Sequence, residues 1–135
     1  MTVSLLRFAN LALMTLGAAC SRPSAVHYRA TGSATNGLVL HRETGFVADS
    51  IRWLTVSRSN ERHRGERGEV LWSVASESGH ARVAPDSLRY GAAPAGFTTG
   101  ILRPLSPGVY EIAVQVGTHT TISRFTIENN GRVSP

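Results

Sequence analysis

The stretch Leu105-Ser-Pro-Gly-Val-Tyr-Glu-Ile-Ala-Val-Gln-Val-Gly-Thr-His-Thr-Thr-Ile-Ser-Arg-Phe-Thr-Ile127 decides the fold. Tyr110, Ile112, Val114 and Val116 alternate with Glu111, Ala113 and Gln115. A period of two sends these sets to opposite faces of a strand. Phe125 and Ile127 give a second run a matching apolar face, and Gly117 to Thr120 has the small, polar composition of a chain reversal. Ser106-Pro107-Gly108 supplies a turn ahead of the hairpin, because Pro presets φ and Gly accepts positive values.

Working outward, Val26, Tyr28 and Ala30 alternate with His27 and Arg29 and predict a first strand. A small polar loop, Thr31 to Gly37, separates it from a second strand at Leu38 to Leu40. Within Phe46 to Val56 the pattern is mixed. Ile51, Trp53 and Thr55 share one face and Arg52, Leu54 and Val56 the other, so neither face reads as buried. Arg58 to Gly68 is a charged loop, and Val70, Trp72 and Val74 form a clear inward face against Glu69, Ser73 and Ala75. Ser76 to Pro85 reads as turns, Leu88 and Tyr90 as a short strand, and Ala92 to Gly100 as loose chain rich in Ala, Gly and Pro. Ile101 to Arg103 leads to the hairpin, and residues 129–135 read as a polar tail. No run of ten or more residues after the leader has apolar positions at helical spacing. The expected fold class is therefore all-β, an antiparallel β-sandwich of about seven strands over residues 26–128.

A chain of 135 residues fits one domain. All fourteen residues counted as Lys or Arg are Arg, against nine acids, for a formal charge of +5. No run of them resembles a nucleic-acid-binding arm, so nucleic acid is not expected as a partner. The excess does permit contact with an anionic polymer or lipid.

The first twenty residues, MTVSLLRFANLALMTLGAAC, have the order of an export signal. Arg7 gives a positive start, Phe8 to Leu16 a short apolar core, and Gly17-Ala18-Ala19 a small-residue cleavage region over a signal peptide of residues 1–19. The apolar run falls short of the roughly 20 residues of a spanning helix. Cys20 is the only cysteine, so it has no disulfide partner within the chain. Leu16-Gly17-Ala18-Ala19-Cys20 resembles the lipobox of bacterial lipoproteins, with Gly17 where that family usually has its aliphatic residue and Leu16 one place further back. The resemblance implies lipidation of Cys20 as the first mature residue, a tether over 20–25, and a membrane-anchored place in the cell envelope. Gly17-Ala18-Ala19 equally suits an ordinary signal peptidase, which would give a secreted protein.

Leu105-x-Pro107-Gly108-x-Tyr110-x-Ile112-x-Val114 resembles the start of the penultimate strand of fibronectin type III and other immunoglobulin-like modules. That resemblance implies an immunoglobulin-like sandwich in which Tyr110 is the corner tyrosine, its hydroxyl bonding back to nearby backbone. The cysteine pair of true immunoglobulin domains is absent. Either tryptophan could be the core one, and the cleaner alternation favours Trp72 over Trp53.

Catalytic chemistry has little to stand on. His27, His41, His63, His80 and His119 show no HxH or HxxxH spacing and have no cysteine beside them, so no metal and no cofactor is expected. There is no G-x-S-x-G elbow, P-loop or G-x-G-x-x-G. The expectation is a non-enzymatic envelope module that binds or spaces other components. A small secreted or periplasmic hydrolase with an unrecognised site is the alternative. Candidate binding residues are Arg58, Arg62, Arg64 and Arg67, whose planar forks suit phosphate or carboxylate on an anionic polymer or an envelope protein. Phe97, without periodicity around it, reads as an exposed contact or a loop plug.

Overall fold

Alternation becomes strand pairing at the hairpin first. β8 (Gly108–Val116) and β9 (His119–Ile127) pair antiparallel without interruption, from Gly108 opposite Ile127 to Val116 opposite His119. The reversal is two residues long, so His119 and Thr120, read from sequence as loop, belong to the strand. The computed structural model describes residues 26–43, 50–60 and 68–135. Within them the chain is all-β and contains no helix.

Two antiparallel sheets share one apolar core. The smaller joins β1 (Tyr28–Ser33), β2 (Gly37–Arg42) and β6 (Ser87–Arg89) in the order β1-β2-β6. The larger adds β3 (Ser50–Arg58), β4 (Val70–Ser76), β5 (Arg82–Val83), β7 (Phe97–Leu102) and β10 (Val133–Ser134) to the hairpin, in the order β10-β9-β8-β3-β4-β7, with β5 pairing β3. Leu38, Leu40 and Leu88 face the core from the first sheet; Leu54, Trp72 and Ile112 meet them from the second. Full burial of an aliphatic side chain of this size contributes about 1.5–3 kcal/mol. Trp72 is the core tryptophan, at 0% exposure, while Trp53 is half-buried.

Two departures from simple alternation have local causes. The pairing of β3 with β8 shifts between Ile51 and Leu54. This irregularity lets Ile51, Leu54 and Val56 all reach the core, which resolves the mixed pattern of that segment. β7 lies where loose chain was expected. It forms the outer edge of the larger sheet and is exposed beyond Phe97, so it carries no alternation to read. Its register against β4 breaks between Trp72 and Val74, and there the Ile101 amide donates to the Ser73 hydroxyl at 2.9 Å. A Cβ on Gly100 would come within 2.7 Å of that hydroxyl.

The segment 129–135 is not a free tail. Val133 and Ser134 pair with Ile127 and Thr126, and Ser33 of β1 bridges to Arg132.

Candidate functional site

Of the residues singled out for binding, Arg58 and Phe97 lie in the described part of the chain; Cys20, Arg62, Arg64 and Arg67 lie outside the described residues. Phe97 is a core residue, 6% exposed. This corrects its reading as an exposed contact: its strand begins against Ser76, and the ring turns inward there.

Arg58 ends β3 opposite Tyr110. Its guanidinium carbon stands 5.6 Å from the Tyr110 ring centroid, and one of its nitrogens donates to the Ser106 hydroxyl. Tyr110 in turn stacks on Phe125, with centroids 5.3 Å apart and planes 16° from parallel. The Tyr110 hydroxyl donates to the Ser106 carbonyl and accepts from the Ser106 amide at 3.1 Å. This is the backward bond expected of a corner tyrosine, four residues upstream. The stem of the charged loop is fixed beside it. The Arg58 amide donates to the Glu69 carbonyl at 2.9 Å, and a Cβ on Gly68 would stand only 1.9 Å from the Arg58 carbonyl oxygen, so glycine is required there. Glu69 itself pairs with Arg103. Arg58 is thus tied into the corner rather than presented freely.

Next to this corner lies an open cleft of about 400 Å³ that the sequence did not reveal. Its walls are the β1–β2 turn (Ala34, Thr35), Tyr90, and the segment Leu102 to Leu105. Residues nearly seventy apart meet there, and no local pattern announces it. Tyr90 fixes one wall. Its hydroxyl lies 2.7 Å from the Arg103 carbonyl and 3.1 Å from the Leu71 carbonyl, and its ring packs 5.1 Å from Trp72. Burial, assisted by nearby Tyr110, pushes the Tyr90 phenol up to about 12, so it stays a neutral donor. Tyr28 repeats the device. Its hydroxyl donates to the Pro85 carbonyl at 2.7 Å, and burial holds its phenol far above its ordinary value, with Arg42 pulling it down and Asp86 pushing it up. All three tyrosines of the chain therefore hold backbone carbonyls in place.

The corner and the cleft occupy the end of the sandwich opposite to where the described chain begins. Val26 accepts a hydrogen bond from the Thr121 hydroxyl at 2.6 Å, level with Val114 and Leu54, whereas Arg58 pairs with Tyr110 four residues further along. Among the described residues, no three His, Cys, Asp or Glu side chains gather in a way that could hold a metal ion. Compared with family models, curated proteins and solved structures, the chain matches none of them.

Proposed function

We propose that the protein is a non-catalytic module of the bacterial cell envelope, lipid-anchored through Cys20, that binds or spaces another envelope component. The observation that carries this reading is the separation of its two ends. The first strand begins eight residues after Cys20, and the corner and cleft lie at the end opposite to Val26. A segment of another envelope component would sit in the cleft beside that corner, since Arg58 is held by Ser106 and Tyr110 and Arg103 by Glu69.

The sandwich is read as immunoglobulin-like. The orders β1-β2-β6 and β9-β8-β3-β4 correspond to strands A-B-E and G-F-C-C′ of that plan, and Tyr110 takes the corner position on the penultimate of these strands. β7 and β10 are additions at the two edges.

The anchor is tested by mass spectrometry of the N-terminal peptide from the membrane fraction. An acylated Cys20 is expected, and Cys20→Ser should move the protein out of the membrane pellet. An unmodified Cys20 would reject the anchor, and with it the membrane-held form of the module.

A further inference from the structure

The smaller sheet turns one face to the core and the other to solvent. Arg29, Thr31, Val39, His41, Ser87 and Arg89 stand at alternate positions on the outer face, and none is a carboxylate. Pairing sets them in rows. Arg29 lies opposite His41 and His41 opposite Ser87, while Thr31 lies opposite Val39 and Val39 opposite Arg89. Three strands at about 4.8 Å spacing make this surface roughly 10 Å across its strand axes. The His41 Nε2 lies 2.9 Å from the Thr31 hydroxyl. Arg29 and Arg89 are exposed and make no ion pair among the described residues. Glu43 continues the outer row one pair beyond β2, its amide donating to the His27 carbonyl at 2.8 Å, and Asp86 is bound by Arg42 at 2.5 Å. On the larger sheet Arg124 is matched by Glu111 at 3.0 Å, while Arg52 of β3 is exposed.

We propose that this outer face of β1, β2 and β6 lies on the anionic head groups of the bilayer that holds the anchor. The proposal rests on the lipid-anchor reading. Two observations carry it. The first is sign: two guanidinium groups, shaped to bind phosphate oxygens and unpaired among the described residues, share a face whose one described carboxylate, Glu43, stands at its edge. The second is reach. Six residue steps separate Cys20 from Val26, roughly 20 Å at full extension, and Arg29 follows three residues later. A tether of that length makes the encounter intramolecular, with an effective concentration on the order of millimolar, so a weak contact suffices. Each Arg at an anionic surface contributes roughly a fivefold change in the bound population. So held, the module turns the outer face of the larger sheet, with Trp53, away from the membrane.

The full chain is placed through its own anchor in vesicles of phosphatidylcholine, with or without phosphatidylglycerol. A fluorophore on Ser87→Cys reports the smaller sheet's outer face, and one on Ala75→Cys reports the larger sheet's. A nitroxide on the lipid head group should quench the first several-fold more than the second, only in vesicles containing phosphatidylglycerol. Arg29→Ser with Arg89→Ser should abolish the difference, as should salt near about 0.5 M. Equal quenching at both positions, or an asymmetry that survives the double substitution, overturns the proposal. Absence of lipid on Cys20 is a separate failure, seen by mass spectrometry. In that case flotation of the unacylated chain with phosphatidylglycerol vesicles tests the face alone: Arg-dependent flotation supports it and none overturns it.

Discussion

The β8–β9 hairpin and the chain between β4 and β8 achieve the same end by different means. The hairpin is nine residues against nine, in one unbroken register, with buried side chains at alternate positions of β8. From Glu77 to Pro107 the strands are short or exposed, and single side chains hold the backbone: Tyr28 holds Pro85, Arg42 holds Ala84 and Asp86, Ser73 holds Ile101, and Tyr90 holds Arg103. Apolar periodicity distributes stability over many residues, whereas tethers concentrate it in a few hydroxyls and one guanidinium. The first kind of structure should fail globally and the second locally.

The largest effect is expected at the hairpin. Tyr110→Ala removes a ring stacked on Phe125 beneath Arg58 and should cost about 3–5 kcal/mol in urea denaturation, with every probe moving together. Tyr110→Phe keeps the ring and loses the bonds to Ser106, and should cost about 1–2 kcal/mol, again globally. Tyr90→Phe should cost about 1 kcal/mol, with faster amide exchange confined to the segment from Gly91 to Arg103. A globally uniform response there would erase the contrast between the two regions. The same residue gives a pH signature. Its folded pKa is raised to about 12 from 10, so its contribution is fully present below pH 10 and is lost as pH rises through 12. Alkaline titration of Tyr90→Phe should show a shallower loss than the parent over that window. The smallest effect belongs to Ser73→Ala, about 0.5–1 kcal/mol, seen as faster exchange of the Ile101 amide alone.

This contrast also marks what could be read in advance. The hairpin and the inward face of Trp72 were legible because each is written in a local period or turn, whereas the bond from Tyr110 back to Ser106 was implied only by a family resemblance. The burial of β3 was not, because a register shift between Ile51 and Leu54 adds a residue that no period anticipates. β7 escaped notice because an exposed edge strand has no buried face to impose a pattern. Of the site, the charge of Arg58 was visible but its capture by Ser106 and Tyr110 was not. The face shared by Arg29 and Arg89 depends on β2 lying between strands sixty residues apart.

The burial of Trp72 has an optical consequence. Its indole Nε1 is enclosed and has no hydrogen-bond partner, and a tyrosine ring lies 5.1 Å away. An indole so placed emits at the blue end of its range, receives excitation from its neighbour and is shielded from dissolved quenchers. Trp53, half-buried on a sheet's outer face, emits further to the red and is less shielded than Trp72. The two tryptophans give the protein separate gauges of its interior and its surface, readable without any added label.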